Sequence, residues 1–500
     1  MAWYEILGIV IAVIAGSVTI GGGVIWVVKR LRRTPEVLDN DTSGGISLQI
    51  PPPPPSVKHA EIKLTIDYED GLPEAAPKIK NPFTEARKLA KDYKYADAIK
   101  QYEACFQAET TDSQRAALHI LIGNCFYHMS ELEEAEGHYR QAETAANQGD
   151  DKEGLAAALG NIGITYHGKG ELDKALNYYI QALDIEREIN HRIGEATDLR
   201  NIGVIYLDKG ELDKALDYFI QAMSIDKDMG NPEGVSADGG NIGNVYLLKG
   251  ELDKALEIFK LVLKTEREIG RTWGEANALG SIGLIYQNKG VLDEALVYYQ
   301  QALNIYREIS YRQGYQAVLG QMGIIYKAKG ELDKAMDFLN ESLNIARDIG
   351  NLEGEANALG NIGNVYQTKG MLNKALDCFT QALHIFENMG YRAGEASILS
   401  NIGIIYRHRG ELDKALDYQQ QALKINRDIG QKGGEALDLG NIGNIYLIEG
   451  ELDKALEHLQ KALRIFEEMG AKIEIAKTKQ IIEEIYKRMD SGRGQESDAV

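Results

Sequence analysis

The sequence Gly-Asn-Ile-Gly-Ile-Thr-Tyr-His-Gly-Lys-Gly-Glu-Leu-Asp-Lys-Ala-Leu occupies residues 160–176 and returns in recognisable form every forty residues. A degraded copy one period earlier keeps Gly123 and Ala135 in register. A fixed period of this length is typical of a solenoid, in which one small unit stacks many times and presents a long binding surface. The repeat therefore favours a binding function over catalysis. The later copies begin at Arg200, Gly240, Gly280, Gly320, Gly360, Ser400 and Gly440.

Each unit has the apolar spacing of two helices. In the unit at residues 152–190, Leu159, Ile162 and Tyr166 follow the i, i+3, i+7 pattern of one helical face. Gly170 then stands where a helix ends in a left-handed residue. A second apolar stripe begins at Ala175 and continues through residues 179, 182 and 185. The pattern predicts a pair of helices in every unit.

The order of these residues resembles the tetratricopeptide repeat. The resemblance extends over residues 83–470. The forty-residue length and the closing glycine are similar to the arrays of kinesin light chains, of Pins-type spindle-orientation adaptors and of many bacterial repeat proteins. The resemblance implies an all-α fold, a right-handed α-solenoid whose first helices line a concave groove. It also implies a protein or peptide ligand.

The amino terminus has the character of a membrane anchor. Residues 6–28 carry no charge, and a helix of that length can cross a hydrocarbon core of about 30 Å. Four basic residues, Lys29, Arg30, Arg32 and Arg33, follow directly, whereas none precedes. By the positive-inside rule, we predict an uncleaved single-pass helix within residues 1–33, with the repeats in the cytoplasm.

The remaining boundaries follow from composition. Nine of the ten prolines lie before residue 83, which predicts a proline-rich linker over residues 34–82. The solenoid then occupies residues 83–470, about ten helix pairs of which nine keep the forty-residue register. Residues 471–489 suit a terminal helix with a polar outer face, and residues 490–500 suit a flexible tail.

A row of amides beside the apolar stripe of the first helices, here called the amide ladder, gives the candidate binding residues. Ser281 and Gln321 occupy the two steps that lack asparagine. In Pins-type arrays, asparagines at the matching steps contact bound peptide, and the resemblance implies the same role here. The alternative is that each amide bonds to the neighbouring unit and fixes the stacking. The ladder comprises Asn161, Asn201, Asn241, Asn361, Asn401 and Asn441, with Asn244, Asn364 and Asn444 one turn further on.

A second glycine series precedes the ladder at residues 160, 240, 280, 320, 360 and 440. A glycine inside a helix costs about 1 kcal/mol relative to alanine, so some neighbour must need the space. Either an approaching ligand backbone or close packing between units would need it. Arg200 replaces this glycine once, as a candidate for contact with an acidic group or as an arginine that points to solvent.

The net charge of −20 disfavours nucleic acid as a partner. Cys105, Cys125 and Cys378 form no disulfide framework, and we identify no catalytic residues, metal ligands or cofactor-binding motif. We therefore predict a membrane-anchored scaffold or adaptor, not an enzyme, that binds a protein or peptide partner in its groove. The alternatives are an extracytoplasmic assembly or secretion factor with the same fold and an architectural homo-oligomer.

Overall fold

The structure, a computed structural model, describes residues 77–106 and 110–497. These residues form two units, 77–242 and 243–497. The predicted membrane helix and most of the predicted linker lie outside the described residues. Within them, every helix is too short or too polar to cross a bilayer.

Helices joined by short turns make up the whole described part of the chain, which contains no strand. The unit at residues 77–242 contains α1 (Pro77–Lys91), α2 (Tyr95–Cys105), α3 (Asp112–His128), α4 (Leu132–Gln148), α5 (Lys152–Gly168), α6 (Leu172–Glu188), α7 (Arg192–Asp208), α8 (Leu212–Asp228) and the beginning of α9 (Pro232–Leu248). The all-α repeat architecture predicted from the periodicity is confirmed.

The unit at residues 243–497 continues the same alternation. It contains the end of α9, α10 (Leu252–Ile269), α11 (Thr272–Lys289), α12 (Leu292–Glu308), α13 (Arg312–Ala328), α14 (Leu332–Asp348), α15 (Leu352–Thr368), α16 (Leu372–Met389), α17 (Arg392–His408), α18 (Leu412–Asp428), α19 (Lys432–Glu449), α20 (Leu452–Met469) and α21 (Lys472–Ser497). Odd-numbered helices are the first helices of their pairs, and even-numbered helices are the second.

The glycine of the Ile-Gly dipeptide brings the two helices of a pair together. A Cβ atom at Gly163 would lie 2.8 Å from Cε1 of Tyr179, which is closer than a real contact allows. The ring of Tyr179 therefore lies directly on the backbone of α5. The same approach recurs between Gly283 and Tyr299, at 2.8 Å, and at the matching step of each later pair. The repeat conserves a glycine here because a bulky side chain occupies its space.

Charges in the Lys-Gly-Glu-Leu-Asp-Lys turn connect successive pairs. Lys209, at the end of α7, pairs with Asp173, in the first turn of α6. The lysines at 289, 329 and 369 make the same contact with the aspartates at 253, 293 and 333. The aspartates are 80–96% exposed, so each pair contributes little to stability. Their regular spacing nevertheless favours one register of stacking.

Two boundaries differ from those that the sequence predicted. Helix α1 begins at Pro77, six residues before the predicted start at residue 83. Pro77 suits the first position of the helix because its missing N–H has no intrahelical partner there, so this proline did not exclude a helix start. Helix α21 continues to Ser497 although residues 490–500 were predicted to be a flexible tail. Extending a helix that is already packed adds one hydrogen bond per residue without a new nucleation step.

Candidate functional site

First helices of successive pairs lie side by side, and their adjoining faces carry the amide ladder. Nε2 of Gln287 on α11 donates to Oε1 of Gln321 on α13 across 3.5 Å. Nδ2 of Asn441 on α19 lies 3.4 Å from Oγ of Ser400 on α17. The ladder therefore runs along the joints between neighbouring first helices.

In the unit at residues 77–242, two of the three ladder asparagines are closed to a surface ligand. Asn161 and Asn241 are each 1% exposed, and Asn201 is half-buried. Neither side-chain nitrogen nor oxygen of Asn161 or Asn241 has a hydrogen-bond partner among the described residues. Both amides are thus buried in this structure, whereas the sequence analysis expected them to line an open groove. They do not make the stacking bond of the alternative either.

In the unit at residues 243–497 the ladder is more open. Asn361, Asn441 and Asn444 are half-buried. Asn364 and Asn401 are 8% exposed, whereas Asn244 is 1% exposed and hence as closed as Asn161. Asn441 also approaches Oε1 of Gln419 on α18 at 3.4 Å. At Asn441 the structure thus favours the stacking role, since the amide contacts polar groups of the preceding pair.

Three predicted binding residues meet at a cavity between α15 and α17, here called the α15–α17 cavity. Asn361 and Asn364 line it from α15, and Asn401 lines it from α17. The volume is about 40 Å³, which exceeds the space that a single water molecule needs, about 10–15 Å³. Phe386 of α16, which is 2% exposed, also lines the cavity. This is the place where the structure gathers the predicted amides around accessible space.

One amide oxygen in this cavity is left without a partner. Oδ1 of Asn364 is buried and accepts no hydrogen bond from the described residues. A buried carbonyl oxygen without a donor costs about 1–3 kcal/mol. A ligand that brings an N–H or O–H group into the cavity would remove that cost.

The surroundings of the glycines that precede the ladder decide between the two explanations given for them, ligand approach and close packing between units. A Cβ atom would meet no protein atom within 4 Å at Gly280 or at Gly440. At Gly160 and Gly320 it would make ordinary contacts at 3.6 and 3.5 Å. Close packing between helices is therefore the wrong explanation at Gly280 and Gly440. At Gly360 a Cβ atom would lie 3.2 Å from Cδ1 of Ile398, a tighter contact than most, so close packing between α15 and α17 accounts for this glycine.

Arg200 occupies the interior, where two carboxylates of the chain neutralise it. Its Nε donates to Oδ1 of Asp238 and its Nη2 donates to Oδ2 of Asp226, each across 2.6 Å. The side chain is 8% exposed, so the interpretation as an arginine that points to solvent is wrong. The predicted acidic contact is internal, and the guanidinium is not presented to a ligand. Burial raises the pKa of Asp238 to about 7 although Arg200 opposes the shift.

A second buried polar cluster was not identified from the sequence. Nδ2 of Asn426 donates to Oδ2 of Asp438 across 2.7 Å, and Nε2 of Gln419 donates to the backbone oxygen of Ser400 across 2.8 Å. Burial raises the pKa of Asp438 to about 7. The available signal was the replacement of the usual ring by Gln419 and of the usual glycine by Ser400. Among the described residues, no three histidine, cysteine or acidic side chains cluster as metal ligands would.

Comparison with known proteins places this geometry in a family. The tetratricopeptide repeat pattern matches residues 113–188, 154–228, 236–308, 315–388 and 394–468. No curated protein matches the sequence.

Two solved structures illustrate the fold. One is the signal transduction ATPase with numerous domains (STAND) that carries a tetratricopeptide repeat sensor, from Pyrococcus horikoshii. It is 16% identical, with a TM-score of 0.52 over 70% of this chain and 53% of that protein. The other is the apo form of the quorum sensor NprR from B. thuringiensis, 14% identical, with a TM-score of 0.51 over 70% of this chain and 97% of that protein. At these identities the likeness concerns the fold alone.

Proposed function

Because the chain belongs to the tetratricopeptide repeat family, we propose that it is an adaptor that binds a protein or peptide partner at the α15–α17 cavity. The observation that carries this proposal is the convergence of Asn361, Asn364 and Asn401 on accessible space. Amides both donate and accept hydrogen bonds, and they can therefore hold a peptide without an ion pair. Stacked helices supply the rigid wall that such recognition needs.

The glycines beside the ladder support an extended ligand that continues from the cavity along the first helices. Gly360 borders the cavity, and Gly440 lies beside open space two pairs further along. Asn444, half-buried, follows one turn later on the same helix. A segment in extended conformation would meet alternating amides and small residues, which is a common form of peptide recognition.

The sequence of the amino terminus bears on where in the cell the adaptor lies. We propose that residues 6–28 anchor the adaptor in a membrane and that the repeats extend into the cytoplasm. The uncharged stretch and the four basic residues that follow it support this arrangement. The adaptor would then hold its partner close to the membrane surface.

Site-specific photo-crosslinking in native membranes tests the binding site. A photoreactive phenylalanine analogue at Asn357, a half-buried residue that lines the cavity, should capture a discrete partner. The same analogue at Asn388, exposed on the second helix α16, should not capture it. Combining Asn361→Ala with Asn401→Ala should abolish the crosslink at Asn357 while helical content is retained.

The outcome distinguishes the proposed adaptor from its alternatives. A crosslinked product of about twice the chain mass of 55.3 kDa would identify a second copy and favour an architectural oligomer. A crosslink that survives the double substitution would overturn the role of the amides. Protease treatment of sealed cells tests the side of the membrane, because repeats in the cytoplasm are protected until the cells are permeabilised.

A further inference from the structure

The α15–α17 cavity is lined by hydrogen-bonding groups that carry no charge. Four asparagines and Ser397 supply its polar atoms, and the remaining lining residues are alanine, glycine, isoleucine and phenylalanine. Carboxamides and hydroxyls can each donate and accept. A charged ligand group would lose its hydration in this cavity without meeting a counter-charge. The lining therefore selects against carboxylates, phosphates and ammonium groups.

The depth of the cavity imposes a second requirement. Asn357, Asn361 and Ser397 are half-buried and form the mouth, whereas Asn364 is 92% buried, being 8% exposed. Oδ1 of Asn364 needs a donor that reaches past the mouth. An aliphatic side chain could reach that depth, but it would leave the oxygen unpaired at a cost of about 1–3 kcal/mol.

The cavity is wide enough for a side chain but too narrow for a main chain. A Cβ atom placed on Gly360 would lie 3.2 Å from Cδ1 of Ile398, which shows how closely α15 and α17 approach at the rim. A volume of about 40 Å³ suits one small planar group rather than a strand with residues on either side. A group on a flexible stem can enter where a continuous backbone cannot.

We propose that the cavity is a receptor for a primary carboxamide, the side chain of a glutamine or asparagine of the partner. Such a group brings two N–H donors and one oxygen acceptor without charge. One N–H donates to Oδ1 of Asn364, and the amides at the mouth complement the other two positions. This inference rests on the proposed function, because it specifies the partner residue that the adaptor recognises.

Saturation-transfer difference NMR on the detergent-solubilised full chain tests the chemistry with small probes. Propionamide should give a saturable signal above that of empty micelles, whereas propionate, of nearly equal size, should give none. Asn364→Leu removes the acceptor at similar volume and should weaken propionamide binding by roughly tenfold or more. Asn388→Leu is the matched control on the exposed face of α16 and should leave the signal unchanged.

Gly360→Ala is a second variant that tests whether the cavity binds a carboxamide. The added methyl narrows the rim beside Ile398 and should also reduce the propionamide signal, while alanine favours the helix. An equal signal from propionate, or a propionamide signal that persists in both variants, would overturn the inference. So would the absence of any saturable propionamide signal.

The two proposals fail in different ways. If the partner crosslink depends on Asn361 and Asn401 but propionamide does not bind, the adaptor stands and the carboxamide receptor falls. If propionamide binds as described but no partner is captured at Asn357, the receptor chemistry stands and the adaptor role falls.

Discussion

At the scale of single residues, Gly280 and Gly283 lie three positions apart in the same motif but have different structural roles. The ring of Tyr299 occupies the space in which a side chain at Gly283 would lie. Gly280 faces space that no described protein atom occupies within 4 Å. The first glycine serves the fold of the pair, and the second leaves room beside the amide ladder.

The difference predicts opposite effects of the same substitution. Gly280→Ala should raise the stability of the unit by about 1 kcal/mol, since alanine is the better helix former. Gly283→Ala should destabilise it by about 1–3 kcal/mol, since the methyl would overlap the ring of Tyr299. Urea midpoints of the two variants measured side by side provide the test. Equal shifts of the two midpoints would contradict this assignment.

Asp438 predicts a pH dependence of stability. Its pKa is raised to about 7 in the folded chain from an ordinary value near 4, so the folded state holds a proton that the unfolded state releases between these values. The contribution of Asp438 to stability should therefore be fully present below about pH 4 and be lost as the pH rises through about 7. Asp238 contributes in the same direction.

Replacing Asp438 by asparagine measures how much this residue contributes to the pH dependence of stability. Asp438→Asn keeps the shape of the side chain and removes the titration, so it should flatten the decline in urea midpoint between pH 5 and pH 8. At pH 8 the variant should be more stable than the parent by roughly 2–4 kcal/mol, at 1.36 kcal/mol per pKa unit. A decline of unchanged slope in the variant would show that Asp438 is not the responsible group.

At the scale of elements, helix α21 covers the last pair. Ile485 is fully buried and packs with Leu459 and Ala455 of α20. The end of a stack otherwise leaves an apolar face in water, which is why such arrays need a terminal helix. The helix begins at Lys472, next to the boundary at residue 471 that the sequence predicted, and it ends later than the predicted residue 489.

The capping role predicts a large effect from a small truncation. Ile485→Ala should destabilise the carboxyl-terminal pair by about 2–5 kcal/mol, because it removes buried methyl groups and leaves a cavity. Glu483→Ala, an exposed position of the same helix, should change stability by less than about 0.5 kcal/mol. Hydrogen exchange of α20 and α21 measures the effect locally. Equal protection in the two variants would argue against a cap.

At the scale of the whole molecule, the proposed anchor and the repeats have separate tasks. Deleting residues 1–33 should release the chain from membranes into the soluble fraction after ultracentrifugation. Helical content measured by circular dichroism should remain, because the pairs from α1 onward pack against one another without those residues. A chain that still sediments with membranes would place the attachment elsewhere.

Fold class, pair register and the glycine stops were predictable because they repeat. Each forty-residue copy has the same apolar spacing and the same glycines, and therefore forms the same local structure. Gly170, for example, has φ of 75° and ends α5 as its position predicts. Helix boundaries at α1 and α21 were less predictable, since they lie outside the repeat and depend on packing. Of the candidate site, the sequence identified the amides but not their exposure.

The sequence by itself determined which residues recur, and hence that paired helices stack and that a row of amides lies beside the apolar stripe of the first helices. Only the tertiary structure decided that Asn161 and Asn241 are covered, that Arg200 is neutralised by Asp226 and Asp238, and that an open cavity forms between α15 and α17. The physical reason is that local periodicity fixes the face on which a side chain lies. How far that face is covered depends on the side chains of the next pair, and these differ from one copy to another.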